Sequence, residues 1–435
     1  MREVKTDNGL PRLYNWFKAY IRFLFEKVYY KDTYYPDTNN LPGVGESLLI
    51  VSNHQNSLID GIAVALSFRD RLVHFFIKKD MSLLKPIVNR TCRAVGLFPV
   101  TEMDDVCLKT LSEGGTVLVY PEEHHQDKHI LAPFNSDYVR TAFDAAQLTN
   151  FERDIFILPS CNHYSYYFGM RQQVMVKFGA PIPLRQYYSQ YQEQAEATIA
   201  LVDAAVRSQI EDMMLDVHDS EHYEAIDFIR QSDFGVNYAK SCGSNPQDLR
   251  QKLASDKKLV SALEQSSDDS VYDVASRYHA LLKQLDFSEK CYNEAPRIQD
   301  VIVKCLGMVI ILPLAIFCAW PSIPSYFITK YYIRKKNDKM YSSSIEFALN
   351  AIILIPASTL LTVILGWPAR GIVQTIIWVA LFPFLCMFEW KYVGWIKQII
   401  ENVHYVDSVR NGKIRELKAL REEMEAKLDS IIRNS

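Results

Sequence analysis

Between Ser47 and Gly179, short runs of β-branched and aromatic residues alternate with longer stretches whose apolar positions recur every three or four residues. The runs Ser47–Ser52, Val73–Ile77, Thr116–Tyr120, Asp154–Pro159 and Gln173–Gly179 predict strands, and the stretches between them predict helices. That alternation predicts an α/β domain with a mostly parallel sheet over residues 46–215. Before it, within residues 1–45, Leu13, Trp16, Phe17, Tyr20, Ile21, Leu24, Phe25 and Val28 fall at helical spacing, with Arg12, Lys18, Arg22 and Lys27 between them. This is an amphipathic helix with a basic face, which either packs on the following domain or lies in a membrane interface. Residues 216–300 are helical in pattern and rich in Gln, Asp, Glu and Lys, a helical extension without evident chemistry.

The apolar residues crowd into three blocks, 301–320, 344–365 and 371–388, each about as long as the ~20 residues a bilayer crossing needs. The turn at 366–371 joins the last two as a transmembrane hairpin (344–388). Lys330, Arg334, Lys335, Lys336 and Lys339 precede that hairpin, and their charge places the connection in the cytoplasm. With the α/β domain also cytoplasmic, the first block cannot cross once. Pro321 and Pro324 supply a turn, so 301–333 is expected to be re-entrant or interfacial. The remaining 391–435 read as a charged helix with Ile414, Leu417, Leu420, Met424, Leu428 and Ile431 along one side. Such a stripe suits docking, or a coiled coil that makes a homo-oligomer.

Composition narrows the function. In 435 residues, 48 Lys and Arg face 51 Asp and Glu, which is unlike the basic surface of a nucleic-acid binder. The eight cysteines form no CxxC pair or compact framework and read as reduced thiols, and the first residues lack a signal-peptide pattern. The expectation is an integral membrane protein with its α/β domain on the cytoplasmic face.

Candidate chemistry sits after the first strand, in Asn53-His54-Gln-Asn-Ser-Leu-Ile-Asp60-Gly61. Asp60 there can fix the tautomer of the His54 imidazole, and His54 can then take a proton from a hydroxyl; the plainer alternative is a loop histidine and a helix cap. Tyr120-Pro121-Glu122 puts a carboxylate past the end of another strand, where open α/β sheets bind ligands. With Ile157-Leu-Pro159 and Val176-Lys-Phe-Gly-Ala-Pro181, these blocks resemble, in order and spacing, the phospholipid/glycerol acyltransferase family over about residues 30–215. Five residues separate His54 from Asp60, as in a subgroup similar to fungal and bacterial glycerol-3-phosphate acyltransferases, which also carries apolar C-terminal segments. The resemblance implies that His54 is the general base and Asp60 its partner, with Asn53, Pro121, Glu122, Lys78 and Arg140 on the acceptor side. It implies an acyl-CoA or acyl-carrier protein as donor, a lysophospholipid-like acceptor at a bilayer, and no cofactor or metal.

Some positions depart from the family pattern. After Gly96-Leu-Phe-Pro99-Val100, where the family commonly has a phosphate-holding arginine, the chain has Thr101-Glu102; the next block has Glu123 for Gly, His125 for Ser and Asn135 for Lys. These changes remove or oppose positive charge, and they keep open a non-phosphate amino-lipid acceptor or a catalytically decayed scaffold. His124, His125, Asp127 and His129, with His163, form no metal-binding motif and read as loop or pocket histidines.

Overall fold

The computed structural model describes residues 12–77, 86–122, 128–319, 323–336, 341–350 and 371–434, with four single positions between 357 and 364. Lys78, Glu123, His124, His125, Asp127 and Lys339, the turns at 320–322 and 366–370, and most of the second apolar block lie outside these residues. The chain forms two compact units, Met1–Asp216 with Tyr331–Ala351, and Val217–Lys330 with Ile352–Ser435.

The first unit is built on one sheet of β1 (Asp32–Tyr34), β2 (Ser47–Ser52), β3 (Val73–Ile77), β4 (Leu97–Pro99), β5 (Thr116–Val119), β6 (Ile155–Tyr164), β7 (Gln173–Phe178) and β8 (Ile182–Pro183). Its order is β1-β7-β6-β2-β5-β3-β4, with β8 alongside β6. All pairings are parallel except β6 with β7 and β6 with β8. Every residue of β2 and β5 is buried, which is why both read as continuous apolar runs rather than alternating ones. The expected mostly parallel α/β domain is therefore present, and the five predicted strands fall on β2, β3, β5, β6 and β7.

Helices α2 (Leu58–Ser67), α3 (Pro86–Ala94), α4 (Met103–Ser112), α5 (Asp137–Leu148), α6 (Tyr188–Glu193) and α7 (Ala195–Met213) follow from the same alternation. Leu49, Val51, Val117, Val119, Leu111, Phe143, Ile199, Val202 and Val206 join one face of the sheet to α4, α5 and α7. The basic N-terminal helix α1 (Arg12–Phe23) packs on this unit: Tyr14 and Lys18 both donate to the Arg71 carbonyl and Arg22 donates to that of Leu66, while Trp16 stays 80% exposed.

In the second unit α8 (Tyr223–Gln231), α9 (Asp233–Ser241), α10 (Leu249–Glu264), α11 (Ser270–Leu285) and α12 (Glu289–Glu294) form a helical bundle. Arg230, buried within it, is neutralised by Asp227 and Asp256. α13 (Ile298–Ala319) contains the stretch Ile298–Ile316, which is long and apolar enough to cross a membrane, with a mean hydropathy of 2.0. The chain continues through α14 (Ile323–Lys336) and α15 (Ser342–Phe347).

The third apolar block does not end near 390. It runs on in α16 (Ile372–Arg410), one helix of 39 residues, and the chain turns at Gly412 before α17 (Ile414–Asn434). Pro383 and Gly394 both lie within the helix, and neither ends it where the composition changes. Leu417, Leu420, Met424, Leu428 and Ile431 of α17 are buried, and α17 packs on α10 and α11. Of the two uses expected of the stripe, docking and a coiled coil, the first is the one seen: it is covered by its own chain. On α13 and α16, by contrast, Ile302, Val303, Val309, Ile310, Val373, Ile376, Ile377 and Phe384 are exposed. An exposed apolar surface of that extent is a candidate for cover by a membrane or a partner.

Candidate active site

The β2 strand delivers Asn53 and His54 past its C-terminal end, and the chain then turns into α2. The turn passes through Ser57 at φ 49°, a backbone conformation that costs a non-glycine residue about 1–3 kcal/mol. Asp60, in the first turn of α2, reaches back over this turn. Its Oδ2 accepts from the backbone N–H groups of Gln55 (2.9 Å) and Asn56 (2.7 Å), as an acid at a helix N-terminus is placed to do. The same oxygen accepts from His54 Nδ1 at 3.0 Å, and Oδ1 accepts from the Tyr164 hydroxyl at 2.5 Å. Asp60 is fully buried, whereas the His54 side chain keeps 19% of its surface. With Nδ1–H donating to Asp60, Nε2 is the basic nitrogen of a ring that lines a cavity.

Tyr120, after β5, stacks on the His54 ring with centroids 4.1 Å apart. Glu122 follows it and is 3% exposed. One oxygen accepts from the His54 backbone N–H at 2.8 Å and the other from the Ala132 N–H at 3.0 Å, so the side chain ties the loop after β2 to the loop before α5. Burial pushes the Glu122 carboxyl up to about 7 against the pull of those two bonds. Arg207 supports the second loop by donating to the carbonyls of Leu131 and Ala132.

The cavity measures about 520 Å³, a size suited to a small-molecule ligand. Its walls are largely apolar, with Leu49, Leu58, Phe75, Phe76, Ile77, Met103, Cys107 and Val119 beneath His54, Tyr120, Pro121 and Glu122. Gly61 lets α2 approach β3, since a Cβ there would meet the Phe75 ring at 2.5 Å. Asp104, Asp137 and Asn135 also line the space, and no Lys or Arg does among the described residues.

The sequence-derived candidates thus separate. His54, Asp60, Glu122 and Pro121 come together. Asn53 faces β6 instead, where its amide donates to the Asn162 carbonyl at 3.0 Å and accepts from the Asn162 N–H at 2.8 Å. Arg140 is not among the cavity-lining residues, and its guanidinium is held by both oxygens of Glu196. Lys78 lies outside the described residues. Glu102 is paired: Arg93 grips both its oxygens at 2.6 Å and holds its carboxyl below the usual range. His129 is buried with Nδ1 against the Tyr167 hydroxyl and its ring beside His163, and among the described residues no three His, Cys, Asp or Glu are grouped to hold a metal. Tyr120, Tyr164 and Arg207 were missed. The one sequence signal for the two tyrosines is their place at the C-terminal ends of strands.

A family model described as Acyltransferase matches residues 29–162. No curated protein matches the chain. Among solved structures, the 1-acyl-sn-glycerophosphate (LPA) acyltransferase PlsC from Thermotoga maritima is similar at 20% identity, over 46% of this chain and 78% of that one, with a TM-score of 0.33. The matched span holds both ends of the site, from the helix turn before β1 to Asn162 on β6. The resemblance drawn from the blocks around His54 and Glu122 therefore stands: residues 29–162 are a domain of the acyltransferase family, and the protein is an acyltransferase.

Proposed function

We propose that the chain transfers a fatty acyl group from acyl-CoA or acyl-carrier protein to a hydroxyl of a glycerol-phosphate or lysophospholipid-like acceptor, as a step of phospholipid biosynthesis at the cytoplasmic face of a membrane. The observation that carries this reading is the His54–Asp60 pair, held by a buried, fourfold hydrogen-bonded carboxylate at the rim of an apolar cavity. Nε2 of His54 takes the proton of the acceptor hydroxyl as its oxygen attacks the thioester carbonyl. Asp60 stabilises the imidazolium that forms and keeps the ring in one tautomer. The tetrahedral intermediate collapses with cleavage of the C–S bond, and the thiolate leaves with the proton that His54 returns. The products are an ester and a free thiol, with no cofactor in the balance.

The apolar cavity suits an acyl chain, and Glu122 positions His54 through its backbone. The exposed apolar faces of α13 and α16 support a membrane anchor, which holds the site where insoluble acceptor and product reside. One observation favours a second acceptor class. Asp104 and Asp137 line the cavity, so an ammonium-bearing amino-lipid precursor meets complementary charge from them where a phosphate meets repulsion. Mass spectrometry of products from membranes containing the protein, with isotope-labelled acyl-CoA or acyl-carrier protein, separates the readings. Labelled phosphatidic or lysophosphatidic acid supports the phospholipid reading. Label only on an N-(3-hydroxyacyl) diamino acid, whose side-chain amine remains an ammonium, moves the assignment to the amino-lipid class.

A further inference from the structure

The chain leaves the acyltransferase unit at Asp216 and returns to it for Tyr331–Ala351. Within that return, Ser343, Ser344 and Phe347 are almost wholly buried, although they stand at the start of the second apolar block and far beyond the family-matched span. Phe347 sits edge-on to Phe25 and Tyr29, at centroid distances of 5.7 and 5.3 Å. The Ser343 hydroxyl donates to the Tyr167 carbonyl at 3.0 Å, which also accepts from the Asn56 side-chain amide at 2.8 Å. The Ser344 hydroxyl donates to the Asn56 carbonyl at 3.2 Å.

Asn56 occupies a special place. Its N–H is one of the two backbone donors on Asp60, and its carbonyl opens the peptide to Ser57, the residue held at positive φ. Ser344 therefore grips the turn that sets Asp60 against His54, from the carbonyl side. Tyr341, at the start of the same segment, lines the cavity together with His54 and Glu122.

From these contacts we infer that residues 341–347 form a strap that completes the active site, with Ser344 a positioning residue for the His54–Asp60 pair and Tyr341 part of the substrate cavity wall. The inference rests on the reading of His54 as the catalytic base. Chemistry thus depends on a segment that lies, in sequence, between helices α14 and α16 and outside the acyltransferase domain as the family defines it. Holding a preformed catalytic geometry affects turnover more than substrate binding.

The test uses the full chain in membranes, isotope-labelled acyl-CoA, and lysophosphatidic acid or an N-(3-hydroxyacyl) diamino acid with a free side-chain amine as acceptor. Wild type, Ser344→Ala, Phe347→Ala and His54→Ala are compared, each with a thermal melt of the purified protein. Ser344→Ala is expected to lower kcat about tenfold with both KM values within about twofold and a melting temperature close to wild type. Phe347→Ala, which loosens the whole strap, is expected to lower kcat further. Wild-type kcat in both variants, or losses that only follow the folded fraction, overturns the strap while an inactive His54→Ala leaves the catalytic reading intact. An active His54→Ala overturns both.

Discussion

Replacing Asp60 by Asn separates charge from shape at the centre of the site. The amide oxygen of Asn can still accept from His54 Nδ1 and from the N–H groups of Gln55 and Asn56, which now converge on Oδ2. The amide nitrogen then faces the Tyr164 hydroxyl, which can rotate to accept from it. The geometry survives, but three charge-assisted bonds become neutral ones of roughly half the strength, a loss of about 2–3 kcal/mol in stability. The larger effect is on the transition state. An imidazolium about 4 Å from a carboxylate gains about 4 kcal/mol at an effective dielectric of ~20, and the amide forfeits most of it. The expected result is a fall of about a thousandfold in kcat with KM changed little. Initial rates of labelled ester formation across acceptor concentrations, with a thermal melt in parallel, measure both quantities. A folded Asp60→Asn protein with kcat within tenfold of wild type would refute the claim that Asp60 supports a proton transfer through His54.

Two further substitutions probe the walls of the site. The raised Glu122 carboxyl makes the folded state prefer the protonated acid, so this group's contribution to stability is present below pH ~4.5 and is lost as pH rises through about 7. Glu122→Gln removes that dependence, and melting curves across pH 4.5–8 should show a smaller decline in the variant; it also turns one acceptor into a donor facing an N–H, so activity should fall at every pH. Gly61→Ala places a methyl group at 2.5 Å from the Phe75 ring, overpacking worth about 1–3 kcal/mol. Phe75 lines the cavity, so its displacement should shift product profiles toward shorter acyl chains, measured with a mixture of labelled donors.

How much of this was legible in the chain depends on distance along it. The strands β2, β3, β5, β6 and β7 announce themselves as runs of β-branched and aromatic residues, most plainly in β2 and β5, which are buried on both faces. The edge strands β1 and β4, three residues each, carry too little pattern to be seen. His54, Asp60 and Glu122 could be found because strand ends are where such sheets work. The partners that give them their geometry could not: Tyr164 is 104 residues from Asp60 and Ser344 is 288 from Asn56, and no local periodicity reports such meetings. Charge pairing is hidden for a related reason. Glu102 departs from the family pattern as an acid, and that Arg93 pairs with it from α3 is visible only in the fold. The helical tail shows the limit of an apolar stripe, which states that a face must be covered and leaves open by what.

The central claim is that His54 is the base of an acyl transfer. Its most direct test is the rate of labelled ester formation by membranes bearing the full chain, wild type against His54→Ala, with donor and acceptor saturating and protein amounts matched. Loss of a general base is worth about 10²–10⁴ in rate, so product from the variant should be at or near the background of membranes lacking the protein. Ester formation by folded His54→Ala at the wild-type rate would contradict the account.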